Sequence, residues 1–106
     1  MRTPAVALLA AVTLLAAAPS PSPEPSPRSL SIVCQVAPLW LFPRGENRPV
    51  RAGVPPATLG SRFALVSGPR TTLESEQYYE TNVVAIEPGY TGQHYWIARS
   101  CALVTP

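Results

Sequence analysis

The chain has 106 residues, contains neither Lys nor Asp, and carries eight Arg against six Glu, which gives a formal net charge of +2. Charges of both signs are spread along the chain and form no clustered basic stripe, so a nucleic-acid-binding surface is not expected. With one His and no Asp, a Ser-His-Asp triad is excluded.

The first segment of the chain has the pattern of an export signal. Arg2 precedes an apolar run at residues 5–18, which is shorter than the roughly 20 residues that a membrane-spanning helix needs. A positive start, a short apolar run and small residues at its end are typical of a secretory signal peptide. We therefore predict a cleaved signal peptide at residues 1–18 and a secreted or extracytoplasmic protein. Because Pro19 directly follows, an uncleaved membrane anchor is the alternative.

Proline occupies every second position of residues 19–27. Such a segment favours an extended polyproline II conformation and cannot form a helix. The pattern predicts a stem at residues 19–29, either polyproline or disordered, which acts as a spacer or has no role.

Residues 30–106 are predicted to form one small all-β domain. Short apolar runs with β propensity alternate here with Gly and Pro. The predicted strands lie at residues 30–36, 39–42, 62–67, 77–87, 93–99 and 102–105, and a long loop lies at residues 43–61. The apolar phase changes near Asn82, which predicts a β-bulge. Short strands with one long early loop indicate a small, strongly bent five-stranded barrel.

The two cysteines are predicted to form a disulfide. In a barrel of this kind the first and last strands can lie side by side, and Cys34 falls on the first while Cys101 precedes the last. An exported compartment permits the bond, which would stabilise the fold by about 4 kcal/mol because it closes a loop of about 68 residues. A redox or metal-binding pair is the alternative, but the spacing lacks a Cys-x-x-Cys pattern.

Several short motifs resemble the bacterial Src-homology-3 domain family over residues 36–104. They are residues 37–41 (APLWL), 60–66 (GSRFALV), 78–79 (YY) and 92–97 (GQHYWI), followed by a short helical turn at 98–101. The resemblance implies a Src-homology-3-like barrel and a non-catalytic binding module of the cell envelope. A five-stranded oligonucleotide-binding barrel is an alternative, although it lacks the expected basic groove.

Neither the histidine nor the carboxylates indicate catalysis. His94 is expected to be an exposed strand residue, since too few other ligands are present for a metal site. The candidates for a catalytic carboxylate pair are Glu74, Glu76 and Glu80, but Glu74 and Glu76 are expected in a solvated loop. We therefore predict no enzymatic activity, no cofactor and no metal.

Aromatic residues near the end of the chain indicate a binding surface. If Tyr95 and Ile97 point inward, strand alternation points His94 and Trp96 outward, and exposed rings can stack on a sugar or a peptide. The predicted ligand-binding residues are Tyr90, His94, Trp96 and Arg99. The predicted partner of the monomeric domain is cell-wall glycan-peptide or an envelope protein. Alternatively, Trp96 covers the open end of the barrel and binds nothing.

A second hypothesis places the contact elsewhere. A secreted inhibitor or protein-interaction domain would use the loop at residues 43–60, whose prolines reduce the entropy lost on binding. A third possibility is a purely structural domain.

Overall fold

The computed structural model describes residues 28–106. The predicted signal peptide at residues 1–18 and the stem as far as residue 27 lie outside the described residues. The described part contains strands β1 (Ser29–Ile32), β2 (Val36–Ala37), β3 (Trp40–Leu41), β4 (Val50–Arg51), β5 (Ala57–Thr58), β6 (Arg62–Thr71), β7 (Gln77–Val84), β8 (His94–Ala98) and β9 (Ala102–Thr105). A 3-10 turn, Arg99–Cys101, connects β8 to β9. Within residues 28–106, no helix has the length and apolar character needed to cross a bilayer.

The strands form one large sheet and a small ribbon, and every pairing is antiparallel. The large sheet has the order β4-β3-β8-β7-β6-β1-β9, and the ribbon joins β2 to β5. β1 therefore lies beside β9, with Leu30 opposite Val104, as predicted for the first and last strands. The all-β fold is confirmed, but the described residues contain nine strands, not five.

The observed strands differ from the predicted ones mainly in the first half of the domain. The first predicted strand is interrupted at residues 33–35, so β1 begins at Ser29 and β2 is separate. The loop at residues 43–61 is partly ordered, because β4 pairs with β3 and β5 pairs with β2. The last strand occupies the predicted residues 102–105, and the predicted helical turn at 98–101 appears as the 3-10 turn.

Strand β6 is longer than predicted because it continues through Gly68-Pro69. The pairing with β7 shifts register twice, between Leu65 and Ser67 and again between Ser67 and Arg70. Gly68 has φ of 115°, and a Cβ at this position would lie 2.9 Å from the carbonyl oxygen of Tyr78. A bulge in this crowded position therefore requires glycine. It also places Ser67 and Arg70 opposite Glu80 and Tyr78.

The predicted bulge in β7 is confirmed. Glu80 pairs with Trp96, but the next pair is Val84 with His94, so β7 advances four residues while β8 advances two. The buried Thr81 hydroxyl donates to the Tyr95 carbonyl oxygen at 2.9 Å and accepts from the Val83 amide at 3.1 Å. These bonds satisfy backbone groups that a bulge leaves without ladder partners.

Two hydrophobic clusters lie on opposite faces of β8. The aliphatic cluster consists of Ile32, Ala37, Leu39, Leu41, Ala52, Ala85, Tyr95 and Ile97. The aromatic cluster consists of Phe42, Tyr78 and Trp96, with the partly buried Trp40 and Ala98 packed against it. Alternation along β8 sends Tyr95 to the first and Trp96 to the second. The central sheet is therefore covered on both faces.

The predicted disulfide is confirmed. Cys34 and Cys101 are bonded, with their Cα atoms 5.0 Å apart and 67 positions apart in sequence. Cys34 lies just after β1 and not within it, and the described residues contain no free cysteine. The bond joins segments at the two ends of the domain and indicates a non-reducing setting.

Candidate functional site

The aromatic cluster is a set of rings packed edge to face. The Phe42 and Trp96 ring centroids are 5.0 Å apart, and the Trp40 and Tyr78 centroids are 5.8 Å apart. Phe42 also lies 5.8 Å from Tyr78, with an interplanar angle of 84°. This is the arrangement that aromatic quadrupoles favour. The rings are therefore structural partners of one another.

Two open clefts border this cluster. The first, which we call the His94 cleft, has a volume of about 300 Å³ and is lined by Phe42, Pro43, Arg44, Gly45, Arg70, Glu80, Gly92, Gln93, His94 and Trp96. The second, the Arg99 cleft, has a volume of about 630 Å³ and is lined by Trp40, Ser75, Glu76, Gln77, Tyr78, Ala98, Arg99 and Ser100. Each residue of the aromatic cluster lines one cleft or the other.

The four predicted ligand-binding residues do not form one exposed surface. Trp96 is only 9% exposed, so the expectation that its ring is open to solvent is wrong, although alternation placed it correctly on the face away from Ile97. Tyr90 is half-buried and packs against the aliphatic cluster. His94 lines the first cleft with Trp96, whereas Arg99 lines the second.

His94 is held by a carboxylate at the side of its cleft. Its Nδ1 lies 2.8 Å from Oε2 of Glu80, and the other carboxylate oxygen of Glu80 accepts a 2.6 Å hydrogen bond from the Ser67 hydroxyl. An ionised carboxylate only accepts, so Nδ1 carries the proton and Nε2 is the nitrogen available to a ligand. Glu80 lies opposite Trp96, so it is a diagonal neighbour of His94 on the same face of the sheet.

The chain Ser67–Glu80–His94 is not a nucleophilic relay. In a serine hydrolase the histidine stands between serine and carboxylate and takes the serine proton. Here the carboxylate stands between the other two, so His94 has no contact through which to activate Ser67. The three residues are suited to positioning the imidazole.

Arg70 was not recognised from the sequence, yet it is the central cation of this cleft. Its Cζ lies 3.8 Å from the Phe42 ring centroid and 5.4 Å from that of Trp96. Its Nε donates to Oδ1 of Asn47 at 2.9 Å, and its Nη2 donates to the Glu46 carbonyl oxygen at 3.0 Å. The one sequence signal was Gly68-Pro69 inside an apolar strand, which is typical of a bulge.

In the Arg99 cleft the Tyr78 hydroxyl and Arg99 are paired with neighbouring side chains, whereas Nε1 of Trp40 is buried without a hydrogen-bond partner among residues 28–106. The Tyr78 hydroxyl donates to Oε1 of Glu76 at 2.9 Å, and Arg99 donates through Nη1 to Oε1 of Gln77. Burial, followed by the hydrogen bond to Glu76, raises the pKa of Tyr78 to about 12. This phenol therefore stays neutral and serves as a donor within the cleft wall.

Glu74 lies in an exposed turn and pairs with Arg48 at 2.8 Å, which agrees with its predicted place in a solvated loop. Among residues 28–106, no three His, Cys, Asp or Glu side chains come together in a way that could hold a metal ion.

Comparison with protein-family models, curated proteins and solved structures found no match to this chain.

Proposed function

We propose that this protein is an exported, non-catalytic binding module of the cell envelope, and that the His94 cleft contacts its ligand. The observation that carries the proposal is the composition of this cleft. It combines an imidazole with a fixed orientation, two guanidinium groups and aromatic edges, and the Ser67 hydroxyl donates to Glu80 and not to the imidazole. Such a cleft can bind and orient a ligand, but its groups supply no activated nucleophile.

Export is supported by two features. The described domain is closed by a disulfide, which persists in oxidising compartments. The leader at residues 1–18 has the composition of a secretory signal. We therefore propose a secreted or extracytoplasmic location.

We also propose a Src-homology-3-like architecture. Support comes from the antiparallel all-β sheet, the pairing of first and last strands, and the short helical turn before β9. Cell-wall glycan-peptide is the proposed ligand class, and an envelope protein is the other partner consistent with a cleft of this size.

The experiment is co-sedimentation of the purified, disulfide-bonded chain with isolated cell-wall sacculi. Saturable binding is expected, and the double substitution Arg44→Ala with His94→Gln is expected to lower affinity at least tenfold. Arg62→Ala is the matched control, because this exposed arginine lines neither cleft. Absence of sedimentation, or equal sedimentation of all variants, would contradict the proposal.

The inhibitor hypothesis keeps one supporting observation. Contacts from Arg70 to Glu46 and Asn47, the pairing of β3 and β4, and the hydrogen bond from the Gly53 amide to Glu87 hold the loop at residues 43–60 in place. A preorganised loop loses little entropy when it binds a protein. Replacing residues 53–56 by Gly-Ser-Gly-Ser, which leaves the His94 cleft lining intact, should spare sacculus binding and abolish binding by such an inhibitor.

A further inference from the structure

The donors of Arg70 are only partly used. A guanidinium has five N–H groups, and the two hydrogen bonds to Asn47 and Glu46 employ one on Nε and one on Nη2. Among residues 28–106, the ion pairs join Arg48 to Glu74 and His94 to Glu80, so neither Arg70 nor Arg44 is neutralised by a carboxylate there. Both arginines line the His94 cleft.

The carboxylate of the cleft does not compensate these cations directly. Both oxygens of Glu80 already accept hydrogen bonds, one from Ser67 and one from His94. Glu80 still contributes one negative charge to the cleft, so the two guanidinium groups leave an excess of positive charge that can attract an anion from solvent.

Arg70 is preorganised for this role. Its Cζ lies 3.8 Å from the Phe42 ring centroid, and the two hydrogen bonds to Asn47 and Glu46 restrict its rotation. The remaining N–H groups therefore lie along an edge of the guanidinium. A planar carboxylate matches such an edge with two parallel hydrogen bonds, and little side-chain entropy is lost when they form.

We propose that the His94 cleft recognises a free carboxylate at the end of a short peptide, seated on Arg70 with Arg44 as the second cation. The adjacent Phe42 and Trp96 edges would contact the apolar part of the terminal residue. The volume of about 300 Å³ is at the small end of ligand sites, which suits an end group. This inference rests on the proposed function, because it assigns the ligand chemistry of the same cleft.

The test compares N-acetyl-dialanine as the free acid with the same peptide carrying a C-terminal amide, using calorimetric or NMR titration of the disulfide-bonded chain. The free acid is expected to bind at least tenfold more tightly than the amide. Arg44→Ala, an exposed position, should weaken binding of the acid about fivefold. Arg70→Lys keeps the charge but removes the two parallel N–H donors of the guanidinium, and it should weaken binding of the acid about tenfold. Arg62→Ala should change nothing.

Equal affinity for acid and amide, or no effect of either cleft variant, would overturn the inference. Inorganic phosphate that binds Arg70 more tightly than the peptide acid would also overturn it, because the preferred anion would then be tetrahedral. Thermal unfolding of each variant shows whether a loss of binding reflects loss of the fold. Sacculus binding without discrimination between acid and amide would leave the proposed function standing and remove this inference alone. Binding of the peptide acid without binding to sacculi would leave this inference standing and contradict the proposed function.

Discussion

The two faces of strand β8 are both buried, but by different kinds of side chain. On one face Tyr95 and Ile97 join an aliphatic cluster to which β1, β2, β3 and β8 contribute. On the other face three buried rings and a stacked arginine form a thinner cover, and two clefts open beside it. A domain of this size has too little chain to build two deep cores. The face that is closed by amphipathic side chains is therefore the one that keeps polar groups at the edges of its clefts.

Each face also contains a tyrosine that donates to a glutamate, and the comparison separates their roles. The Tyr95 hydroxyl donates to Glu87 at 2.5 Å while Gly53 donates to the same carboxylate at 2.8 Å, so this pair links β8 to the loop that precedes β5. The Tyr78 hydroxyl donates to Glu76, which is only two residues away. The first pair joins distant segments, whereas the second shapes the wall of a cleft.

The largest expected effect comes from removing the Cys34–Cys101 disulfide, which lies beside the aliphatic cluster. Replacing Cys34 and Cys101 together by Ala should lower the free energy of unfolding by about 4 kcal/mol, because the denatured chain regains the entropy of a long loop. Denaturant unfolding followed by circular dichroism measures this change. A loss below about 1 kcal/mol would show that strand pairing between β1 and β9 alone holds the two ends together.

The next effect distinguishes the two clusters. Ile97 is fully buried in the aliphatic cluster, and Ile97→Ala should cost about 3 kcal/mol of unfolding free energy through lost transfer energy and a residual cavity. The exposed Val84, on the neighbouring strand, is the control, and Val84→Ala should cost less than about 0.5 kcal/mol. We expect sacculus binding by the folded fraction of Ile97→Ala to be unchanged. Weakened binding would show that the two faces are coupled.

The smallest effect depends on pH. Mainly through the hydrogen bond from Tyr95, the pKa of Glu87 is lowered from its ordinary value of 4.5. A lowered pKa in the folded state means that the carboxylate stabilises the fold above pH 4.5 and that this stabilisation is lost as the pH falls through the lowered value. Glu87→Gln should therefore reduce Tm at pH 7, and the difference from the wild type should shrink below pH 4.5.

Thermal scans between pH 7 and pH 2.5 measure this difference. Glu46→Gln serves as the reference, since Glu46 is exposed and its carboxylate has no side-chain partner among residues 28–106. A Tm difference for Glu87→Gln that stays constant across this range would contradict the role given to the Tyr95–Glu87–Gly53 link.

Local pattern alone determined the β class, the last strand, the bulge near Asn82 and the pairing of Cys34 with Cys101. These features depend on period-two alternation, on Gly and Pro punctuation, and on there being two cysteines in the chain, all of which can be read in linear order. Alternation also placed His94 and Trp96 on the same face. It did not show that this face is covered, because burial depends on which other segment packs there.

Which residues come together in the His94 cleft depends on the tertiary structure. Arg70 is adjacent to Phe42 and Trp96 only because the Gly68 bulge changes the register of β6, and because the segment after β3 folds back over the sheet. His94 reaches Glu80 because the register of β7 with β8 places Glu80 opposite Trp96, diagonally across from His94 on the same face. These contacts join residues 14 to 28 positions apart, and local propensity carries no information about such distances. Long-range register therefore determined which charged groups meet in the cleft.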